Sequence, residues 1–448
     1  MKYLTNRRSP DLLPEPALIP WLIKWLILSS LVAILAGSAS AIFLFCLDWA
    51  TATRLSHPLL LCFLPVAGFI VGWIYLRVGQ KVEAGNNLLI DEVHTPQRTI
   101  PLRMAPLVML ATIVSHLFGA SVGREGTAVQ MGGALADQIV RLFRLSPDER
   151  RMLLMAGVSA GFASVFGTPL AGAVFGLEMM AIGHIRYGSL LSCFVAAVVA
   201  DQVGLLWGIH HTHYPIGALP PVTLWGITAI VVVGIAFGAT GKLFAMLTHY
   251  LGGHFKRAVP YGPLRPFIGG AAIALVAWLF SAQHYLGLGI PTIVSAFQQP
   301  LPGYEFITKL GFTVASLASG FKGGEVTPLF YIGATLGNAL APVLHMPFQL
   351  LAAVGFVAVF AGAANTPLAC TFMAMELFGS GVGVYAGIAC VVSYLFSGYS
   401  SIYRSQRVAI AKYHAVPENI KLADIPNWQQ KQSDAAAPQQ PARDSSHE

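Results

Sequence analysis

Charge is what this chain has least of. Only 10% of its 448 residues are Asp, Glu, Lys or Arg, 55% are hydrophobic, and the mean hydropathy is +0.65. Soluble globular domains carry about 25% charged residues, so a soluble fold is excluded. Cysteine is also scarce. The five present (Cys46, Cys62, Cys193, Cys370, Cys390) lie in apolar segments without metal-ligand spacing, which fits small core side chains and no metal. No H-E-x-x-H or paired-aspartate pattern occurs. A G-x-S-x-G match, "GVSAG" at 157–161, sits in a charge-free run, whereas a nucleophile elbow needs a strand-to-helix turn. The chain therefore reads as a non-enzyme that needs no cofactor.

What the chain has instead is long charge-free runs. A bilayer span needs about 20 apolar residues. Trp25–Leu47, Leu55–Leu76, Met152–Leu177, Gln202–Gly241, Pro266–Tyr304, Val326–Met375 and Leu377–Tyr403 all qualify. The fold class is an all-α polytopic membrane protein whose partner is the lipid bilayer. The first run continues through "IFLFCLDWA", too long for a signal peptide, and reads as an uncleaved helix. The net charge of +7 comes from basic residues in short loops, such as Arg141, Arg144, Arg150 and Arg151. That pattern signals cytoplasmic loops and cytoplasmic termini, not nucleic-acid binding.

An internal repeat organises the sequence. "TPLAGAVFGLEM" at 168–179 recurs 198 residues later as "TPLACTFMAMEL", and "GREGTAVQMGGAL" at 123–135 recurs 200 residues later as "GGEVTPLFYIGAT". The expected organisation is a cytoplasmic N-terminus (1–17), a first membrane repeat (18–208) and an outer loop (209–221). A second repeat (222–412) and a polar, disordered cytoplasmic tail (413–448) follow. The loop between the two motifs is basic in the first half ("RLFRLSPDERR") and lacks Lys and Arg in the second ("NALAPVLHMPFQ"). This contrast favours inverted repeats, the transporter arrangement with a midplane site, over parallel ones, which the sequence alone leaves open. The joining loop holds His210, His211 and His213, which read as polar loop residues ahead of a metal site.

Glu125 stands out. A carboxylate within a bilayer costs about 2.5–3.5 kcal/mol and persists where it does work. Gly123 and Gly126 flank the Arg124–Glu125 pair and allow close backbone approach, and a helix begins there. A helix N-terminus attracts anions, so Glu125 can occupy an anion site when ionised and leave it when protonated. An Arg124–Glu125 ion pair or a simple cap is the plainer reading. "GGEVTP" supplies the matching helix start, with Glu325, Val326 and Thr327 in its first turn. Glu325 is either a second proton-linked group or a neutral core glutamate. "EAGNNLLIDEV" gives a third helix start, Gly85–Asn86–Asn87, with amide donors.

Together these motifs resemble the CLC family of anion channels and proton-coupled antiporters, in that family's order over about residues 20–410. "GREGT" is similar to its G-R/K-E-G-P segment, "GGEVTP" to G-x-F-x-P, "TPLAGAVFGLEMM" to A-P-L-A-G with paired glutamates, and "SGYSSIY" at 397–403 to the segment holding the pore tyrosine, taken as Tyr399. The departures are informative. Asn86 stands where chloride-selective members place a serine, Thr127 replaces the proline of G-R-E-G-P, and Val326 replaces a phenylalanine. Met179 replaces the second paired glutamate, leaving Glu178. Those changes, with "TPLF" at 327–330, resemble the bacterial fluoride/proton antiporter branch. The resemblance implies two inverted repeats with broken helices meeting at the membrane centre. It implies fluoride or chloride and protons as partners, a homodimer with one ion path per subunit, and residence in a bacterial inner membrane. It implies gating and proton coupling by Glu125 and Glu325. The anion site would comprise Gly85, Asn86, Asn87, Gly123, Arg124, Gly126, Thr127, Val326, Thr327 and Tyr399. A chloride/proton exchanger or passive channel of the same fold is the alternative.

Overall fold

The computed structural model describes residues 18–436 apart from His213 and His414. The expectations for residues 1–17, His213 and 437–448 lie outside the described residues. Eight helices form the first half: α1 (Leu18–Ser56), α2 (Leu64–Ile74), α3 (Asn86–His94), α4 (Met104–Phe118), α5 (Glu125–Phe143), α6 (Pro147–Phe166), α7 (Pro169–Glu178) and α8 (Leu190–Leu206). Eight more follow in the second: α9 (Leu224–Ala258), α10 (Leu264–Leu279), α11 (Ile290–Ala296), α12 (Glu305–Ser319), α13 (Val326–Leu344), α14 (Phe348–Ala364), α15 (Pro367–Phe378) and α16 (Gly383–Phe396). A final helix, α17, spans Ile425–Ala436. The two sets pack in the same order: α5 on α6 as α13 on α14, and α1 on α8 as α9 on α16.

Several charge-free runs are not single helices. Met152–Leu177 breaks at Gly167, which takes the left-handed conformation, and Pro169 then opens α7. Val326–Met375 breaks twice, at His345 and at Asn365, both left-handed. Proline explains the restarts: it disfavours helical backbone in the residue before it and is well tolerated in a first turn. Five helical stretches among the described residues are long and apolar enough to cross a membrane, whereas α4, α7, α10, α14 and α15 are apolar but shorter. Broken helices are compatible with a bilayer only where their free ends are buried in protein or line a cavity.

The paired "TPLA" motifs settle the relation between the halves. Glu178, at the end of α7, accepts hydrogen bonds from Leu368 N (3.1 Å) and Ala369 N (2.8 Å), the first amides of α15. Glu376, in the last turn of α15, accepts from Leu170 N (2.8 Å) and Ala171 N (2.9 Å), the first amides of α7. The two helices thus run antiparallel, each ending on the other's start, and the repeats are inverted. A carboxylate on a helix N-terminus satisfies otherwise orphaned donors and opposes the helix dipole. Glu178 is therefore a structural cap, and so is its counterpart.

Glycine sets how closely the long helices approach. A Cβ on Gly132 of α5 would lie 2.1 Å from Gly157 O of α6, and one on Gly333 of α13 would lie 2.0 Å from Gly355 O of α14. Small residues at such crossings are the usual device of membrane helix packing. Phe162, Phe175, Phe330, Phe356 and Phe360 stack across the junction, with Phe162–Phe175 and Phe330–Phe356 centroids 4.1 and 4.0 Å apart.

The C-terminal segment corrects the expectation of a disordered tail. Strand β1 (Ala181–Ile182) pairs parallel with β2 (Arg407–Val408), which pairs antiparallel with β3 (Ile420–Lys421). Ile182, Val408, Leu422 and Ile425 form a small core of their own, with Val416 and Ile420 packed against it, so residues 416–425 fold back onto the membrane domain. Polar anchors add to it: Gln406 Nε2 donates to Met179 O (3.1 Å) and Ala364 O (3.2 Å), and Lys421 Nζ pairs with Asp91 at 2.7 Å.

Gly132→Val and Gly333→Val should each force a helix pair apart, at a cost of about 1–3 kcal/mol or more. Thermal unfolding in detergent should show lowered midpoints for both; unchanged midpoints would mean that these crossings are looser than the geometry states.

Candidate functional site

The two half-repeats touch backbone to backbone at the middle of the molecule. Gly123 N donates to Gly324 O (2.6 Å) and Gly324 N donates to Gly123 O (2.8 Å), an isolated antiparallel bridge. Immediately after it α5 starts at Glu125 and α13 at Val326. Two helix N-termini therefore meet with their free N–H groups turned toward a common region, a strong anion-attracting arrangement.

Glu125 answers that field. Its side chain is completely buried, and its carboxylate crosses to the other repeat, accepting from Thr327 N (3.1 Å) and from the Thr327 hydroxyl. Arg124 N donates to it at 3.1 Å, and Arg124 Nε lies 3.6 Å away. The carboxylate of α5 thus occupies the N-terminus of α13. Hydrogen bonds to an ionised group contribute about 1.5–3 kcal/mol each, and protonation would remove most of that.

The bridge also fixes the repeat register. Gly123 matches Gly324, so Arg124 matches Glu325 and Glu125 matches Val326. Arg124 and Glu325 are both N-caps with similar backbone angles (φ −119° and −104°). The match of letters between the two motifs aligns the two glutamates and puts Glu325 in the first turn of its helix. In the structure they are offset by one residue, and Glu325 precedes that turn.

Asn86 approaches from α3. Gly85 takes φ +58°, which starts the helix with Asn86 as its first residue. A Cβ on Gly126 would lie 3.1 Å from Asn86 Nδ2, 3.2 Å from Gly324 Cα and 3.8 Å from Glu325 Oε2. Asn86, Gly324 and Glu325 therefore converge on one spot that only a glycine leaves open. Asn86 is 8% exposed and its Oδ1 has no hydrogen-bond partner. Asn87 turns away from that spot, and its Oδ1 accepts from Ser405 N at 2.9 Å.

Besides Asn87, two further expected site residues face elsewhere. The Thr127 hydroxyl turns to α4, 2.7 Å from the Thr112 hydroxyl, which itself donates to Val108 O. Thr127 therefore contributes backbone, not its hydroxyl, near the bridge. The Tyr399 hydroxyl accepts from Lys412 N (2.9 Å), and its ring packs on Tyr413 within the small C-terminal core. Tyr403, four residues on, takes the central place. It is 3% exposed, packs edge-on against Phe175 and lies close enough to Glu325 and Glu125 to feel both charges. Either tyrosine of "SGYSSIY" fits the sequence pattern, so only the fold of the downstream strands separates them. Val326 is buried at the head of α13.

On one side of this centre lies a cavity of about 30 Å³, lined by Arg124 and Thr327 together with His211, Thr212 and Tyr214 of the joining loop. No spacing in the sequence marks the histidines of that loop as part of the site. His210 is exposed, and among the described residues no three His, Cys, Asp or Glu side chains converge as a metal site.

Comparison with known proteins places this geometry among relatives. Residues 67–398 match the family model described as "Voltage gated chloride channel". A "Chloride/fluoride channel protein" of Pseudomonas syringae pv. tomato is 60% identical over 441 residues, covering 97% of both chains. An "H(+)/Cl(-) exchange transporter ClcA" of Cronobacter sakazakii is 27% identical, covering 79% of this chain and 81% of the other. Among solved structures, a "CLC-type fluoride/proton antiporter" superposes with a TM-score of 0.84 at 36% identity, covering 86% of this chain and 98% of that one.

Gly126→Ala should press a methyl group into the spot where Asn86, Gly324 and Glu325 meet. The expected destabilisation is about 1–3 kcal/mol, seen as a lower unfolding midpoint in detergent. A midpoint equal to that of the parent would mean the three groups are not held against Gly126.

Proposed function

Because the chain belongs to the voltage-gated chloride channel (CLC) family, we propose that it is a proton-coupled antiporter exporting fluoride across a bacterial inner membrane, with both termini in the cytoplasm. The observation that carries this reading is the Glu125 carboxylate seated on the amide and hydroxyl of Thr327, in the first turn of α13. A carboxylate held at an anion site is the resident competitor of the transported ion. Ionised, Glu125 fills the site. Protonated, it loses its charge-assisted bonds, swings away and yields the helix N-termini to an anion, carrying its proton with it.

In this reading the ion lies against backbone amides near Gly126 and Val326, with Thr327 alongside and Asn86 and Tyr403 toward the cytoplasm. Gly85 and Gly123 shape the backbone around it, Arg124 steadies the gate, and Glu325 carries the coupled proton on the inner side. Fluoride is small and tightly hydrated, so its site must return strong hydrogen-bond donation. The Asn86 amide beside Gly126 supports fluoride preference because it presents N–H donors at the spot where the helices converge. The names printed for the Pseudomonas relative and the antiporter structure are consistent with fluoride as substrate. By family resemblance the chain works as a homodimer with one path per subunit. Chloride/proton exchange or passive chloride conduction is the competing reading, favoured by the chloride in the Pseudomonas relative's name.

The test is flux from proteoliposomes loaded with fluoride or with chloride, followed by ion-selective and pH electrodes together. Fluoride efflux with opposing proton movement is the expected result; brisk chloride efflux would favour the competing reading. Glu125→Gln should abolish coupled proton movement, because an amide does not titrate; protons moving as before would remove Glu125 from the mechanism. Asn86→Ser should shift the fluoride-to-chloride rate ratio toward chloride by about tenfold, the equivalent of about 1.4 kcal/mol. An unchanged ratio would place the discrimination in other residues.

A further inference from the structure

The loop between the halves is pinned on both sides of the cavity next to Glu125. The His211 ring packs against Gly167, at the end of α6, so closely that a Cβ there would lie 2.3 Å from the ring's Cδ2. Tyr214 packs on the second half, its ring centroid 5.3 Å from Phe297 and 5.5 Å from Phe356. His211, Thr212 and Tyr214 of the loop line the cavity together with Arg124 and Thr327. Arg124 and Thr327 both contact the Glu125 carboxylate. The volume of about 30 Å³ has room for one or two waters bridging the loop to the gate.

The titratable groups among the described lining residues are Arg124, His211 and Tyr214. Glu125 lies just behind Arg124, and Tyr214 senses the charges of both. Of these side-chain types, histidine is the one that ordinarily exchanges protons around neutrality.

We infer that His211 is the proton-transfer residue on this side of the gate. It takes a proton from the outer solution and passes it through cavity water to the Glu125 carboxylate. The balance is simple: the imidazolium gives a proton to water, the water gives one to Glu125, and the neutral ring is recharged from solvent. Arg124 lines the same cavity as His211 and lies 3.6 Å from the Glu125 carboxylate, placing the two groups on either side of it. The inference rests on the proton-coupled reading above.

The test measures coupled fluoride efflux against external pH for the parent, His211→Asn and His211→Gly. Positioned acid–base groups contribute roughly 10²–10⁴-fold. Because water also carries protons here, a loss of about tenfold is expected at alkaline external pH, shrinking as the solution is acidified. External imidazole should restore the Gly variant by filling the place of the missing ring. A parental pH profile in both variants would overturn the inference. So would a loss that is equal at every pH and untouched by imidazole, since that pattern marks a merely structural ring. Fluoride efflux without proton movement in the parent would instead overturn the transport reading, so the two failures are distinguishable.

Discussion

Two helix N-termini are brought together in a buried centre, and the rest of the molecule follows from that constraint. Each brings free N–H groups and about half a positive charge. Facing one another in a medium of low dielectric, they repel unless something negative lies close by. The Gly123–Gly324 bridge holds the two starts together, and Glu125 supplies the charge from one helix to the other. The carboxylate belongs to one repeat and the amide and hydroxyl it caps belong to the other, so the charge that stabilises the centre also ties the halves together.

The molecule contains a control for this argument. At α7 and α15 two helix N-termini are also capped by glutamates from the opposite repeat, Glu376 and Glu178. Those caps are reciprocal, each resting on two backbone amides of the other helix. At the centre symmetry is broken. Glu125 reaches α13, but the residue equivalent to it is Val326, which has no carboxylate to return the contact. Two reciprocated caps clamp the inverted halves in alignment, whereas at the centre a single unreciprocated carboxylate from one repeat holds the helix start of the other.

Much of this was legible in the residues. Charge-free runs marked the bilayer, the "TPLA" repeat marked the duplication, and Gly–Arg–Glu–Gly and Gly–Gly–Glu–Val marked the helix starts. What stayed hidden depended on contacts distant in sequence. Aligning Glu125 with Glu325 maximises matched letters, whereas the backbone pairing of Gly123 with Gly324 moves the register by one residue. Tyr399 and Tyr403 have similar flanks, and the choice between them is made by Lys412 and Tyr413, which draw Tyr399 into another core. Thr127 looks like a site hydroxyl because its chain position is central, yet its partner Thr112 lies on a helix no local pattern could bring in. The joining loop reads as a polar connection because the cavity it lines is shared with residues distant in sequence.

The two successive asparagines show how the surroundings of Gly126 are assembled. Adjacent residues at a helix start point in different directions, so Asn86 and Asn87 cannot serve the same partner. Asn86 sends its amide to Gly126, while Asn87 holds Ser405, two residues beyond Tyr403. Ser405 Oγ in turn donates to Asp91 on the same short helix at 3.0 Å, and Lys421 of β3 pairs with that carboxylate. The C-terminal segment is therefore a strap that fixes α3 and Tyr403 as one unit. The distance between the amide and the phenol is then set by strap geometry instead of by either side chain alone. Few side chains are needed for this arrangement, because backbone contacts hold the helix starts and the strap sets the spacing.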